Sequence, residues 1–443
     1  MEMVIGAAAL AAAAVAAGCA TTVLPPRDPS AVPESVSFAE LRARAQAEGY
    51  VPVIVRFNVA GMARTDNQEA VAASIAAVVD RVLARVGSED VRVVRRYPTL
   101  PIIAADVNVR GLDALVASPE VSEVIPDEQE QTQLNRSTVL IGAVDVWPTS
   151  NGSGQLVAVI DTGIDSNHPF VRGRIAHEAC FRRDGRCPNG RREQIGVGAA
   201  QTMSASHGMH VAGITAGANA RHGALRFSGV APGAQVIPIN VFSGRSAYVS
   251  DQIAALAYVE QLRRANVRVV AVNMSIGGRA YTQACDQKER ERAALIGRLW
   301  ALNVATVIAA GNNGYNNAVT SPGCISTAVT VSNLRRNDTL ETGDNRSQLT
   351  DLLAPGTGIL SSVPDDVYGG SANDDYRRKT GTSMATPHVT GAFAVLAAAV
   401  PTASSADILG ALVVTGREVR DPSTGRVFRR IDLPRALERL QHP

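Results

Sequence analysis

Two kinds of hydrophobic patterning run along this chain, and they predict two kinds of sheet. In the C-terminal two thirds, Gln155-Leu156-Val157-Ala158-Val159-Ile160-Asp161 and Val304-Ala305-Thr306-Val307-Ile308-Ala309-Ala310-Gly311-Asn312 are apolar runs without polar alternation, each ending in a polar side chain. Such β-branched runs predict strands buried on both faces, as in a parallel sheet covered by helices. Nearer the N-terminus the pattern predicts strand 53–57, helix 68–86, strand 91–97, strand 102–109, helix 111–117 and strand 121–125. That β-α-β-β-α-β order predicts a small ferredoxin-like α+β domain. The expected fold class is therefore α/β, a doubly wound and mostly parallel sheet, preceded by that small domain.

Residues 1–19 are different again. The Ala-rich stretch from Val4 to Ala17 is too short to span a bilayer comfortably and ends at Gly18-Cys19. An apolar core followed by small residues predicts an export signal. Ala16-Ala17-Gly18-Cys19 resembles a bacterial lipoprotein box, so Cys19 is the candidate lipidation site and membrane attachment is the partner that implies. A Pro-rich segment, Leu24 to Pro33, predicts an extended tether within residues 20–49. The expected plan is a signal at 1–19, the tether at 20–49, the small domain at 50–132 and the large domain at 133–443. The product is exported from a bacterial cell, either anchored through lipid or secreted.

Candidate chemistry sits at the ends of the buried runs. Asp161 closes one strand, where open α/β sheets place their ligands. His207, in Ser206-His207-Gly208-Met209-His210, opens a helix and is a candidate base. Asn312 closes a second strand with a carboxamide that donates two N–H groups without charge. Ser383, in Gly381-Thr382-Ser383-Met384-Ala385-Thr386-Pro387-His388-Val389, lies at a loop-to-helix junction whose free N–H groups suit an oxyanion. A nucleophile, a base, an orienting carboxylate and an oxyanion donor describe acyl transfer through an acyl-serine. His168 and His210 are expected to hold local structure.

The four segments in the order Asp, His, Asn, Ser resemble the subtilisin-like serine peptidases over roughly residues 135 to 437. Gly229-Val230-Ala231-Pro232, Asn273-Met274-Ser275-Ile276-Gly277-Gly278 and Ala354-Pro355-Gly356 add to the likeness. The resemblance implies a subtilisin-like fold, an Asp161–His207–Ser383 triad and an oxyanion hole made by Asn312 with the Ser383 N–H. It also implies protein or peptide substrates. These would pair with Ser275, Ile276 and Gly277 as an added strand, with Ala309, Ala310 and Gly311 forming the opposite wall and Thr320 narrowing the floor. The small domain resembles the family's inhibitor prosegment, an intramolecular partner whose tail would span about 126–135. A permanent accessory domain is the other reading of that region.

Two positions depart from the family pattern. Met209 stands where Thr usually follows His-Gly, which bears on rate and substrate fit. Phe170 stands where many members carry a calcium-binding Asp, so the usual first calcium site is expected to be absent and no cofactor to be required.

Composition narrows the classes. The 443 residues are 46% hydrophobic, enough for a sizeable core, and 43 basic against 41 acidic residues leave a net charge of +2. That balance offers no electrostatic case for nucleic acid. Setting Cys19 aside, Cys180, Cys187, Cys285 and Cys324 predict two disulfides in an oxidising compartment. Three connectivities exist; the short Cys180–Cys187 loop around Asp184-Gly185 favours local pairing, leaving Cys285 with Cys324. No Cys-x-x-Cys or His-x-x-x-His spacing supports zinc, and no metal ligands are assigned. Two functions of other classes compete with a serine endopeptidase. One is a catalytically inactive peptidase-like binding protein; the other is a serine esterase or acyltransferase acting on non-peptide substrates.

Overall fold

The computed structural model describes residues 38–59, 68–127, 133–202, 205–222, 225–364 and 376–442. Cys19, the export segment 1–19, the Pro-rich stretch 24–33 and residues 128–132 of the expected tail lie outside them. The chain divides into two compact units, Met1–Glu130 and Gln131–Pro443.

In the first unit the strands run Val91–Arg96, Ile102–Val107, Val51–Phe57, Val121–Pro126 across a four-stranded sheet. Every neighbouring pair is antiparallel. Val51, Val53, Val55 and Phe57 alternate inward from the central strand, the period-two pattern of a sheet with one covered face. Helix Gln68–Val86 buries Ile75, Val78, Val79 and Val82 in the same core. The expected strand 102–109 stops at Val107 because Asn108 caps the next helix, Val109–Val116, its side chain accepting from the Gly111 N–H at 2.9 Å.

One expectation is corrected here. Part of the predicted tether at 20–49 is a helix, Phe38–Glu48, whose Leu41 and Ala45 are buried in this core. The segment FAELRARAQAE is rich in strong helix formers. Leu41 and Ala45 stand one helical turn apart, and the adjacent Arg42 binds both oxygens of Asp113 at 3.0 to 3.3 Å.

The second unit is built on a ten-stranded sheet. Its order is Arg417–Arg420, Val427–Arg430, Leu352–Pro355, Val329–Leu334, Ala305–Ala309, Val269–Met274, Leu156–Asp161, Gln235–Asn240, Ala179–Phe181, Glu193–Ile195. All pairings are parallel except the two at the edges. Strand Leu156–Asp161 explains its unbroken apolar sequence directly. Val157 and Val159 enter one hydrophobic cluster with helices His207–Ala216 and Thr382–Ala399, while Ala158 and Ile160 enter a second with helices Val249–Arg264 and Arg290–Ala301. Both faces are covered, so no position tolerates a charge until the strand ends.

The cysteines pair as Cys180–Cys187 and Cys285–Cys324, with Cα separations of 5.8 and 5.4 Å. The first pair closes a turn at the sheet edge, and the second ties the approach to helix Arg290–Ala301 to the loop after Thr320. Among the described residues no helix is long and apolar enough to cross a membrane.

Candidate active site

Asp161 is the last residue of its strand and is fully buried, because the chain turns there beneath the His207 helix. Its carboxylate accepts the Thr162 N–H at 2.7 Å and faces His207 Nδ1 at 2.8 and 2.9 Å. A carboxylate on Nδ1 requires the proton there, which leaves Nε2 as the basic nitrogen. The His207 side chain is 33% exposed, so the ring spans from the buried acid to solvent. Thr162 Oγ1 accepts the Gly208 N–H at 2.9 Å and locks the helix start onto the strand end.

Ser383 is the second residue of helix Thr382–Ala399, and the environment of this helix start is specific. Pro387 lies inside the helix and has no N–H, so the carbonyl four residues earlier, that of Ser383, lacks its intrahelical donor. Ser275 Oγ supplies the missing hydrogen bond at 2.9 Å. Asn273 Nδ2 in turn donates to Ser275 Oγ at 3.0 Å, and Asn273 Oδ1 accepts from Thr390 Oγ1 at 3.1 Å. The side chain of Ser275 is therefore turned to the Ser383 backbone. The Ser383 N–H has no intrahelical acceptor at this position and no partner among the described residues.

Asn312 is held beside it. Its Oδ1 accepts from both the Thr382 N–H and Thr382 Oγ1 at 2.9 Å, which leaves Nδ2 as the free end of the amide. A residue the sequence did not single out, Asn345, fixes this loop. It is fully buried, takes the N–H groups of Asn313 and Tyr315 on Oδ1, and donates from Nδ2 to the Ala310 carbonyl. A lone Asn in Asp344-Asn345-Arg346 carries no sequence signal for that role.

The other predicted wall residues divide into two groups. Ile276 and Gly277 make no backbone hydrogen bond among the described residues, which leaves an open edge, while the Ile276 side chain is buried in the core. Ala309 and Ala310 are buried, and the Ala310 carbonyl already accepts from Thr320 N, Thr320 Oγ1 and Asn345 Nδ2. Thr320 is wedged between the walls: a Cβ on Gly277 or Gly311 would come within 2.9 and 2.6 Å of its Oγ1. Gly311 also has φ +104°, so glycine is required there twice over.

His207, Thr162, Ser206 and the run Ser275–Arg279 line a cleft of about 1270 Å³. Ser383 Oγ and His207 Nε2 are not hydrogen-bonded to each other in this structure, and neither has another partner among the described residues. Lys379 Nζ donates to Ser206 Oγ at 2.7 Å; burial pushes this ammonium down to about 8, and Asp161 opposes that shift. His210 and His388 are buried in the adjoining helices. Desolvation pushes them down to about 3 and about 4, so both are neutral. His210 donates from Nε2 toward the Ile359 and Arg377 carbonyls, and His168 Nδ1 accepts the Phe170 N–H. Met209, in the His207 helix itself, is fully buried in the core. Phe170 is stacked edge-on against Phe227 and Tyr376, an aromatic cluster with nothing to offer a hard cation.

A family model for the subtilase family matches residues 152–429. The chain belongs to the subtilase family. As a member it is a serine endopeptidase, a hydrolase acting on proteins or peptides. An intracellular serine protease of Paenibacillus polymyxa is 32% identical over 281 residues, 62% of this chain and 76% of the relative. An alkaline protease of Alkalihalobacillus alcalophilus is 28% identical over 382 residues, 84% of this chain and 88% of the relative. A solved protease of Pseudoalteromonas arctica matches with a TM-score of 0.56 at 24% identity. It covers 71% of this subtilase and 96% of that chain, and so speaks for the fold.

Proposed function

We propose that this subtilase cleaves peptide bonds through an acyl-enzyme on Ser383, with His207 as general base and acid, Asp161 as its orienting partner and Asn312 as oxyanion donor. The observation that carries the reading is the buried Asp161 carboxylate on His207 Nδ1 at 2.8 Å, which sets the imidazole tautomer a base needs. Ser383 Oγ attacks the scissile carbonyl carbon as His207 Nε2 takes its proton. The tetrahedral oxyanion then meets two unspent donors, Asn312 Nδ2 and the Ser383 N–H. Collapse expels the amine with the proton from Nε2, and water repeats the sequence on the ester. Ser383 and His207 close to hydrogen-bond distance as the substrate seats, since such contacts tighten in the Michaelis complex. Each step uses a side chain already named, so the proposed reaction calls on no metal or cofactor.

The unpaired backbone edge at Ile276 and Gly277 supports substrate binding as an added strand. The small unit is read as a ferredoxin-like inhibitor prosegment, cut off by the enzyme itself near 126–135. Its antiparallel order supports that assignment, as does the alkaline protease match, which covers more of the chain than the large unit holds. Export through residues 1–19, either anchored by lipid on Cys19 or freely secreted, and the oxidising compartment that two disulfides favour complete the proposal.

The test is intact mass and N-terminal sequencing of residues 20–443, expressed into an oxidising compartment as wild type and as Ser383→Ala. Loss of about 110 residues in the wild type alone, the size set by the unit boundary, is the expected result. Labelling of wild type but not of Ser383→Ala by a fluorophosphonate reports the nucleophile separately. Cleavage that survives in Ser383→Ala ends the assignment.

A further inference from the structure

The cleft beside His207 carries uncompensated positive charge. Its charged lining, apart from His207, is Arg245, Arg279, Arg292 and Glu289. Glu289 is already committed, because it pairs with Arg292 through both Nε and Nη2, and Arg292 is itself only 4% exposed and bound to Gln252 Oε1 at 2.6 Å. Arg245 and Arg279 are exposed and have no side-chain partner among the described residues. Arg279 follows directly on the open edge at Ile276 and Gly277. Arg245 belongs to the segment Phe242–Val249, most of which lines the same cleft; Tyr248 in that segment has Arg183 stacked 5.0 Å above its ring.

We propose that Arg245 and Arg279 make this peptidase selective for substrates with acidic side chains on the amino side of the scissile bond. The inference rests on the peptidase reading above and deepens it. Two guanidinium groups over a cleft of about 1270 Å³ attract carboxylates and repel basic side chains, and a peptide laid on the Ile276–Gly277 edge presents alternate side chains to them. Glu289 offers no competing repulsion, since Arg292 neutralises it. The chain encodes a segment of matching chemistry: Asp127, Glu128 and Glu130 lie within four residues at the proposed self-cleavage junction.

The experiment compares fluorogenic peptides that differ only in Glu, Gln or Lys, scanned over the four positions before the scissile bond. Exposed ion pairs of this kind change affinity modestly, so Glu should exceed Gln about three- to tenfold in kcat/KM at alternate positions, with Lys below Gln. That ratio should shrink in ~1 M salt, where screening is strong. In Arg245→Ala/Arg279→Ala the Glu-to-Gln ratio should fall to about one, and in Arg245→Glu/Arg279→Glu it should invert toward Lys. Equal rates for Glu and Gln in the wild type, or a preference unchanged in the double variant, would overturn the proposal. The same peptides bound to Ser383→Ala and followed by anisotropy separate the two ideas. Charge-selective binding without any hydrolysis by the wild type keeps the cleft and removes the peptidase mechanism, and charge-blind binding removes the cleft.

Discussion

At the scale of single residues, the site depends on which atoms are left unbonded. Thr382 occupies Asn312 Oδ1, so the amide presents Nδ2, the end that the proposed oxyanion role needs. Asn312→Ala should lower kcat by about 10²–10³ with KM little changed, the size found for the matching donor of another subtilase. A variant with normal kcat would remove Asn312 from the oxyanion hole. Thr320 acts by volume instead. Its hydroxyl lies against both Gly277 and Gly311, so Thr320→Gly should raise kcat/KM for Phe relative to Ala before the scissile bond, as read from a two-substrate competition. An unchanged ratio would mean that the floor lies elsewhere. Asn312 has a role legible in its own segment, whereas for Thr320 only the family resemblance suggests one. Thr320 depends on contacts made by two distant loops.

Between elements, the decisive junction joins strand Val269–Met274 to helix Thr382–Ala399. Pro387 leaves the Ser383 carbonyl without a helical donor, and the Ser275 hydroxyl repairs the defect across 108 positions of sequence. Ser275→Ala should therefore cost about 1–3 kcal/mol, the penalty for orphaning a buried acceptor. Pro387→Ala restores an N–H to the helix at that point. The cost of Ser275→Ala should be smaller in the Pro387→Ala background, a coupling that denaturant melts of the four-member cycle would detect. Strict additivity would show that the hydroxyl and the helix N–H do not serve the same carbonyl. Pro387 could be read from the sequence as a mark of the helix start, yet it sits one turn further in, where its effect falls on the Ser383 carbonyl.

For the molecule as a whole, the loop that anchors Asn312 brings a pH response. Asp344 precedes Asn345 and is 4% exposed; burial pushes its carboxyl up to about 6, with Glu341 adding to the rise and the Asn333 amide opposing it. The unfolded carboxyl titrates near ~3.9, so the folded chain binds the extra proton between roughly pH 4 and 6. Stability from this group is present at the acid end of that window and is lost as pH rises through the folded value. Asp344→Asn should remove that slope, a difference of about 2–3 kcal/mol between pH 4 and pH 8. Melting temperatures of both chains across that range are the check, and parallel curves would refute the assignment. Asp421 responds in the opposite sense. Burial pushes its carboxyl up, but hydrogen bonds from Arg346, Ser423 and Thr424 outweigh that and hold it below the usual range. Its contribution is present above the unfolded value and lost as pH falls through the folded one.

What the sequence determined by itself was whatever depends on neighbours along the chain. Apolar runs such as Val157–Ile160 read as strands covered on both faces, and an acid ending one of them lies at the carboxyl end of the sheet, where ligands bind. The four chemical segments kept their order and character, so the reaction class could be read before any contact was known. The tertiary structure decided what depends on residues far apart: that Asn345 clamps the loop around Asn312, that Ser275 satisfies Ser383, and that Leu41 and Ala45 turn a supposed tether into part of a core. Hydrogen bonds of this kind have no period and no local signature. They arise only when folding removes water from a polar group and leaves a distant side chain as its one partner.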